Sequence, residues 1–527
     1  MTRVDRRQFS LALSACLAAG PRWAAAQAGD HPVAADPPPA ELALSGPPQG
    51  PWRRLFLDAA VVEQSAGLTR TFHAAEKHAG NPVLRRDQPW EAVAAITGPY
   101  VYGTVFWEGD RLRLWYQILN RGNHVGYAES RDGIHWTKPP LGIIAFEGTK
   151  ANNLVVSAFE PAASGGGTCH NPSVIRRPAA SDPARRYALY GFDGRAGHPR
   201  VAFSADGLHW QYAAETETRP LFSSSDVVSF FYDPLQGRYT ATWKTRNRRG
   251  RAVGVAWSPD GLAWTKPFDG PVFVADDLDP DETQIYGMPV FPYQGLYLGL
   301  PWIYRARYFR YGEYSVEKLH EAQADSPRTI DAQLAWSWDL INWTRPPQRQ
   351  PLIPRGEPGS WDAGIIVTAR APVIVGDELY FYYGGTAGVH DEPRVPAAIG
   401  LAKLRLDGFC SLAAGAEEGW LITRREPMRE PAVTINARTA AGGTVAAEIL
   451  DRQNRVLPGF SRADCRAFQG DSVRHVLSWT KREFGPELAR PDYKLRFWLQ
   501  RAELFSYLPS GLDPNQPDLA RFPTQGP

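Results

Sequence analysis

The sequence feature that most constrains the fold is a seven-residue motif, Ser-x-Asp-Gly-x-x-Trp, which occurs three times and returns a fourth time without its glycine. The copies are residues 130–136, 204–210, 258–264 and 337–343, so their aspartates lie 74, 54 and 79 residues apart. These spacings are too long for one hairpin and suit a four-stranded sheet with variable loops. The repeats therefore predict a series of four-stranded sheets, with one copy of the motif at an edge of each sheet.

The chemistry of the motif is that of a turn. An aspartate side chain accepts backbone N–H groups, a glycine adopts positive φ, and a tryptophan returns into the apolar layer between sheets. We therefore assign the motif a structural role in preference to a ligand-binding role.

A second unit, made of an apolar strand, a polar turn and an aromatic strand, occurs five times. Five such units predict an all-β fold, a five-bladed β-propeller with a central funnel. The 48 glycines, 46 prolines and 12% aromatic residues agree with a turn-rich β protein. The strand pairs are 102–107 with 112–116, 173–176 with 187–190, 227–232 with 239–243, 288–291 with 296–300, and 365–369 with 379–383.

The pattern changes near residue 405. We assign residues 52–404 to the propeller, 405–508 to a small antiparallel β-sandwich and 509–527 to a loose tail. The sandwich is expected to cover the edge of the last blade, and glycan binding is the alternative. Of the cysteines after residue 26, Cys410 and Cys465 are a candidate disulfide pair and Cys169 is left over.

Residues 1–26 have the pattern of an export signal, and the Pro-rich stretch 27–51 is expected to be an extended linker. Arg6 and Arg7 precede an apolar stretch and three alanines at 24–26, which is typical of a twin-arginine signal. We expect a periplasmic or secreted protein, with lipid anchoring through Cys16 as the less favoured alternative. No later stretch reaches the roughly 18 apolar residues of a membrane span.

Charge and composition exclude several classes of protein. The hydrophobic fraction of 43% excludes disorder for most of the chain. The formal charge is +2, of which the signal contributes +3, so a mature chain near −1 predicts no nucleic-acid partner. Asp277, Asp279 and Asp281 have the spacing of a calcium loop, but Glu282 and Met288 occupy positions that need Gly and Glu. A solvated acidic loop is favoured. No metal or other cofactor is predicted, and a structural calcium ion is the alternative.

Carboxylates precede most of the predicted inner strands, where a propeller opens into its funnel. Glycoside hydrolysis needs two carboxyl groups on either side of an acetal, one as acid and one as base or nucleophile. We predict Glu91, Asp226 and Asp362 as the catalytic carboxylates, with Glu282 in reserve. The alternative for each is a turn or cap residue.

The substrate-binding candidates are aromatic rings on which a sugar could stack and polar groups near the same strand ends. A run of basic residues, 244–251, favours a solvated hairpin, and recognition of a carboxylate or sulfate on an acidic sugar is the alternative. The candidates are Trp90, His170, Asn171, Glu282, Gln284, Tyr286, Trp302, Arg305 and Trp361.

The motif copies, the opening Leu-Phe-Leu-Asp at 55–58, the segment 81–91 and the Leu-Asp-Gly-Phe at 406–409 carry a family resemblance. Over roughly residues 52–505 the chain resembles the five-bladed propeller glycosidases of the arabinanase, xylosidase, invertase and levansucrase group. It looks like a bacterial branch described as family 32-like or family 43-like. The resemblance is specific for fold and weak for substrate.

The resemblance implies a furanosidase or related glycosidase with an Asp base or nucleophile, an assisting Asp and a Glu acid from the first three blades. The sequence departs from that pattern in three blades. His170-Asn171-Pro172 replaces an Asp before Pro, residues 97–100 contain no Asp, and Asp226 stands in place of Glu. The motif also lacks the extra residue of the sialidase Asp-box.

The sequence thus favours an exported glycoside hydrolase that acts on a polysaccharide or oligosaccharide by carboxylate acid/base catalysis, and it leaves open whether the substrate is a furanoside, an acidic sugar or another sugar. Two alternatives stay open. One is a carbohydrate-binding propeller without catalysis, and the other is a phosphorolytic glycosidase in which residues 246–251 hold phosphate.

Overall fold

A computed structural model describes residues 52–91, 96–119, 122–163, 165–177, 180–214, 220–307, 325–392, 395–425, 433–481 and 493–509. These residues form 33 β-strands and two single-turn 3-10 helices, Pro89–Glu91 and Pro183–Arg185. None of the described helices has the length and apolar character needed to cross a membrane. The predicted signal, the linker and residues 510–527 of the tail lie outside the described residues.

Five short strands come first, β1 (Arg54–Leu55), β2 (Val62–Ala66), β3 (Thr69–Phe72), β4 (Glu76–Lys77) and β5 (Ile96–Thr97). Two four-stranded antiparallel sheets follow. The first contains β6 (Pro99–Glu108), β7 (Arg111–Leu119), β8 (Asn123–Ser130) and β9 (Leu154–Val156). The second contains β10 (His170–Arg176), β11 (Tyr187–Asp193), β12 (His198–Ser204) and β13 (Gln211–Tyr212).

The third sheet has three strands and the fourth has four. The third contains β14 (Val228–Asp233), β15 (Arg238–Asn247) and β16 (Gly250–Ser258). The next strands are β17 (Thr283–Gly287), β18 (Val290–Tyr293), β19 (Leu296–Gly299), β20 (Trp302–Arg305), β21 (Thr329–Gln333), β22 (Ala335–Ser337) and β23 (Trp343–Thr344). Of these, β18, β19, β22 and β23 form the fourth sheet.

A ten-stranded sheet joins β17, β20 and β21 to β4, β5 and five later strands, and an eight-stranded sheet contains β1, β2, β3 and the last five strands of the chain. The later strands are β24 (Pro351–Ile353), β25 (Ile365–Thr368), β26 (Val373–Val375), β27 (Glu378–Thr386) and β28 (Val395–Arg405). The last five are β29 (Cys410–Ala414), β30 (Gly419–Thr423), β31 (Thr434–Leu450), β32 (Asp471–Val476) and β33 (Lys494–Leu508).

The turn prediction for the repeated motif is confirmed. The third strand in each of the first three sheets, β8, β12 and β16, ends at the serine of a copy, and β22 ends at the serine of the fourth. In the first copy, Asp132 Oδ1 accepts the backbone N–H groups of Ile134 and His135, both at 2.8 Å. Gly133 has a φ of 77°. The fourth copy keeps this geometry with Leu340 at a φ of 70°.

The motif glycines also dock each sheet against its neighbour. The carbonyl of Gly133 accepts from Tyr382 of β27 at 2.8 Å, and that of Gly207 accepts from Trp115 of β7 at 2.7 Å. The carbonyl of Gly261 accepts from Tyr190 of β11 at 3.1 Å. A β-carbon at position 261 would lie 2.3 Å from the Tyr190 hydroxyl, so glycine is needed for the close approach as well as for its φ.

These contacts place the sheets in a propeller-like ring. Each of the five predicted strand pairs is an antiparallel pair in the structure. The fifth pair, β25 with β27, belongs to the ten-stranded sheet, which it shares with β17, β20 and β21. The count of five blades therefore stays a prediction.

The first strands of the chain tie the ring to the C-terminal region. β1, β2 and β3 pair with β33, β30 and β29, although the sequence placed residues 52–72 with the propeller. The edge of β28 pairs with β4 and not with the C-terminal strands, so the expectation that the sandwich covers this edge is wrong. β4, β5 and Leu84 pair with successive parts of this strand and cover its edge. The C-terminal sheet has its own apolar cluster, and its description as a sandwich stays a prediction.

Two further expectations differ from the structure. Cys410 and Cys465 are both free, because the Cys410 thiol contacts the carbonyl of Phe56 and the Cys465 sulfur accepts the N–H of Ala447, in separate parts of the sheet. The acidic loop is not simply solvated. Arg345 makes two hydrogen bonds to the buried Asp279 carboxylate, at 2.6 and 2.8 Å.

Candidate functional site

Residues from four successive units of the ring meet around Asp226. Asp226 directly precedes the third sheet, His170 begins the second, Tyr102 lies in the first strand of the first, and Tyr286 lies in β17. Lys244 of β15 completes this group, which we call the Asp226 cluster. The ring brings together groups that lie up to 184 residues apart in the chain, because all of them except Lys244 lie in, or just before, the first strand of a unit.

Asp226 is held ionised by a cation. Lys244 Nζ lies 2.6 Å from Asp226 Oδ1, and Ser225 donates its hydroxyl to the same oxygen at 2.8 Å. Burial raises the pKa of Asp226, but the charge of Lys244, and that of His170 at the acidic pH where Asp226 titrates, lower it by more, so this pKa lies far below its ordinary value. The Asp226 side chain keeps 38% of its surface exposed, against 11% for Lys244. The carboxylate is therefore anionic and accessible.

His170 is fixed in one orientation. Its Nδ1 lies 3.0 Å from the Asp226 carbonyl oxygen, which can only accept, so Nδ1 carries the proton. Burial lowers the pKa of His170 more than Asp226 raises it. The imidazole is therefore neutral at neutral pH, and its Nε2 is an acceptor.

Aromatic rings form the wall beside these groups. The Tyr102 ring makes an edge contact with His170 at 5.2 Å between centroids and lies 5.2 Å from Trp302. Tyr286 and Tyr304 meet at 5.8 Å. Trp302, predicted to bind substrate, is only 1% exposed and donates its indole N–H to Thr368, so it supports the wall from within the core.

A row of cations faces Tyr286 from the β15–β16 hairpin. Lys244 and Arg246 are two residues apart on β15, and Arg251 of β16 is the cross-strand partner of Arg246, so all three lie on one face. Lys244 Nζ lies 4.6 Å from the centre of the Tyr286 ring. The Arg251 guanidinium lies 5.6 Å from that ring and 5.0 Å from Tyr304.

Two groups at this site escaped the sequence prediction. His390 Nε2 lies 3.0 Å from the Tyr286 hydroxyl, and its Nδ1 lies 2.8 Å from Asp391 Oδ2. Both residues lie in the turn after β27. The run Val-His-Asp-Glu at 389–392 after the fifth predicted unit was an available signal, but it belongs to no repeat.

The structure does not bring Glu91 to this cluster. Glu91 is 1% exposed, and its carboxylate accepts from the Tyr116 hydroxyl at 2.8 Å and pairs with Lys138 Nζ at 2.8 Å. Trp90 lies in the same internal network, since its indole N–H donates to Asn153 Oδ1 at 2.8 Å. Among the described residues Glu91 has no hydrogen bond or ion pair with a member of the Asp226 cluster.

Asp362 is also enclosed elsewhere. Its Oδ2 pairs with Lys77 of β4 at 2.6 Å and accepts from the Tyr383 hydroxyl at 2.9 Å. Trp361 stacks on Tyr383 at 5.7 Å between centroids. Asp362 is 3% exposed, so this carboxylate joins β4 to β27 inside the fold.

The remaining predicted residues border the cluster. Gln284 is fully buried and its Oε1 accepts from Arg251 Nη1 at 3.0 Å. Glu282 accepts from Arg307 and Ser326, both at 3.0 Å, and Arg305 donates to Thr283. Asn171 has a φ of 60°, and its buried Nδ2 has no hydrogen-bond partner among the described residues.

No group of three or more His, Cys, Asp or Glu side chains within the described ranges is arranged to hold a metal ion. The site offers one accessible anionic carboxylate, a neutral imidazole, a second imidazole beside a carboxylate, and a row of cations. Such a set of groups can polarise and hydrogen-bond a hydroxylated or anionic substrate and can move a proton.

The chain is similar to a number of solved structures at low sequence identity. No protein-family model matches the chain, and no curated protein matches it. One similar structure is a glycosyl hydrolase from Bacteroides ovatus, with 16% identity, a TM-score of 0.43, and coverage of 64% of this chain and 94% of that one. Another comes from work on glycoside hydrolases in the GH130 family of mannoside phosphorylases that target β-1,2 mannosidic linkages in Candida mannan (17%, 0.42, 64% and 94%). A third is an N-acetylgalactosamine deacetylase from F. plautii in complex with blood group B trisaccharide (15%, 0.40, 65% and 97%).

Proposed function

We propose that this protein is an exported carbohydrate-active enzyme, a glycoside hydrolase whose reaction takes place at the Asp226 cluster of a five-bladed propeller. The observation that carries the proposal is the state of Asp226, which is anionic, 38% exposed and walled by aromatic rings. Sugar rings present apolar faces that stack on aromatic side chains and hydroxyls that need polar partners.

Asp226 suits the role of base or nucleophile. A carboxylate whose pKa is held far below its ordinary value cannot deliver a proton at neutral pH, so Asp226 is not the acid. It either attacks the anomeric carbon or takes a proton from the water that attacks it. Lys244 keeps it ionised in both cases.

The acid must come from a different group, because Glu91 and Asp362 are enclosed in other ion pairs. We assign it to His390 and Asp391. The imidazole can pass a proton from Nε2 toward the leaving oxygen while the glycosidic C–O bond breaks, and the Asp391 carboxylate lies 2.8 Å from Nδ1 on the other side of the ring. Tyr286 orients that nitrogen through its hydroxyl.

The test is a hydrolysis screen of the purified chain from residue 27 onward against aryl glycosides and polysaccharides, with Asp226→Asn and His390→Gln in parallel. The proposal expects sugar release that both substitutions reduce by orders of magnitude. Full activity of Asp226→Asn would remove Asp226 from the reaction.

The sequence-based alternative of a carbohydrate-binding propeller without catalysis is an outcome of the same screen. Binding of a glycan by the wild-type chain, with no hydrolysis of any panel member, would favour that alternative over the proposed enzyme.

A further inference from the structure

Arg251 differs from Lys244 and Arg249 of the same hairpin because none of the described carboxylates pairs with it. Its Nη1 donates to Gln284 Oε1 at 3.0 Å, and its remaining described contacts are with the Tyr286 and Tyr304 rings. Lys244 pairs with Asp226, and Arg249 of the same hairpin pairs with Asp277. A neutral amide satisfies only part of a guanidinium, which has five N–H donors.

The guanidinium is held in place by a buried glutamine. Gln284 is fully buried, and its Nε2 donates to the Ala306 carbonyl at 2.7 Å, which aims Oε1 at Arg251. Gly250 makes this approach feasible, because a β-carbon there would lie 2.7 Å from Gln284 Cγ and the residue has a φ of 125°. Arg251 is therefore oriented before any ligand binds, which lowers the entropy lost on binding.

The positive charge at this point is concentrated. Burial lowers the pKa of Lys244, Asp226 raises it, and the charges of Arg251 and Arg246 lower it further, so it ends below its ordinary value. A lysine with a carboxylate 2.6 Å away would otherwise have a raised pKa. Lys244, Arg246 and Arg251 thus place three cationic side chains on one face of the hairpin beside a single carboxylate, that of Asp226.

We propose that Arg251, together with Arg246 and Lys244, forms a subsite for a negatively charged oxygen group beside Asp226. The inference rests on the proposed function, since it places this subsite next to the reacting carboxylate. The planar guanidinium matches both carboxylate and phosphate oxygens. Two sources supply such a group: the carboxylate of an acidic sugar in the substrate, or free inorganic phosphate.

Calorimetry on the purified chain separates the two sources. The probes are galacturonic and glucuronic acid oligosaccharides, their carboxyl-reduced neutral counterparts, and inorganic phosphate alone. We expect either the acidic oligosaccharides to bind at least about tenfold more tightly than the neutral ones, or phosphate alone to bind, because a hydrogen bond to a charged group contributes that much.

Three variants show whether Arg251 is responsible. We expect Arg251→Gln to lose the preference for acidic oligosaccharides or the binding of phosphate, whichever the wild-type chain shows. Arg251→Lys should retain part of that effect through its charge. Arg249→Gln, an exposed control in the same hairpin, should retain the whole effect. Circular dichroism checks that each variant folds. Absence of both effects in the wild-type chain overturns the proposal, and so does full retention in a folded Arg251→Gln.

Failure of this proposal is distinguishable from failure of the proposed function. Hydrolysis of neutral sugars that depends on Asp226, without any effect of charge, leaves the enzyme in place and overturns the anion subsite. Anion binding that depends on Arg251, without turnover of any sugar, supports the anion subsite and contradicts the proposed enzyme. Phosphate-dependent release of a sugar phosphate assigns the subsite to phosphate.

Discussion

The sequence predicts that three carboxylates act together, but in the structure their side chains differ in solvent exposure. The three are Asp226, Glu91 and Asp362. Each pairs with a lysine at 2.6 to 2.8 Å. The side chains of Glu91 and Asp362 are 0% and 4% exposed, whereas that of Asp226 is 38% exposed. An ion pair alone therefore does not mark a reactive group. The pair must also leave an oxygen that a substrate can reach.

The largest expected effect is on the exposed member of this comparison. Asp226→Asn removes the charge that acts as base or nucleophile, and we expect kcat/KM to fall by about 10²–10⁴-fold. The Lys244 side chain is 11% exposed, between Lys138 at 4% and Lys77 at 24%, so we expect a loss of about 2 to 3 kcal/mol in a variant that stays folded and keeps the contact of Lys244 with the Tyr286 ring. Steady-state kinetics measures the loss, and circular dichroism checks the fold. A stability loss that accounts for the missing activity would place Asp226 with the other two carboxylates.

Glu91 should show the opposite pattern. Glu91→Gln leaves the Lys138 ammonium, 4% exposed, with only the exposed Asp87 as its ionic partner, and we expect the free energy of unfolding to fall by about 3 kcal/mol. The variant enzyme should keep its kcat/KM at temperatures where it is folded. Glu357→Gln, at an exposed position, is the matched control and should change stability by less than about 0.5 kcal/mol. Unfolding by urea measures both. A stable but inactive Glu91→Gln would return Glu91 to the catalytic site.

Asp362 should lose less stability than Glu91, because its partner Lys77 is 24% exposed whereas Lys138, the partner of Glu91, is 4% exposed. When Asp362→Asn removes the charge, Lys77 can recover part of its hydration, so we expect a smaller loss of about 2 kcal/mol. The Tyr383 hydroxyl can still donate to the asparagine oxygen. Urea unfolding in parallel with Glu91→Gln gives the order of the two losses. A larger loss for Asp362→Asn would contradict the link between exposure of the partner and cost.

The sequence predicted the repeated turns and missed much of the site, for a physical reason. In the motif, Asp132 bonds to residues two and three positions away, so the whole interaction lies within one window of sequence. The partners that enclose Glu91 and Asp362, Lys138 and Lys77, lie 47 and 285 residues away. Only the ring brings them close. Asp226 and His170 were found because each directly precedes or begins a unit that the repeats reveal.

His390 and Asp391 were missed by the sequence prediction for a related reason. They reach Tyr286 from a turn after β27, and the run of residues 389–392 belongs to none of the sequence repeats. A repeat predicts the positions that every unit shares. The chemistry of a site depends on positions where one unit differs from the rest, so the position of Asp226 could be predicted from the sequence more readily than the proton donor that we propose.

The smallest expected effect is a shift in pH dependence, which tests why Asp226 is ionised. In the wild-type enzyme the acid limb of kcat/KM should lie below the ordinary carboxyl range, because Lys244 and His170 outweigh burial and depress the pKa of Asp226. The ion pair also stabilises the fold above the ordinary pKa, and this contribution is lost as pH falls through the depressed value. Lys244→Met removes the positive charge that counteracts the effect of burial on the pKa of Asp226. The acid limb should therefore move to higher pH by about 1 to 3 units. Lys266→Met, whose ammonium bonds to Ser223 instead, should leave the limb in place. If the acid limb does not move in a folded Lys244→Met variant, the ionisation of Asp226 is not what determines that limb. The exposed Asp226 would then differ from the two enclosed carboxylates in its position and not in its chemistry.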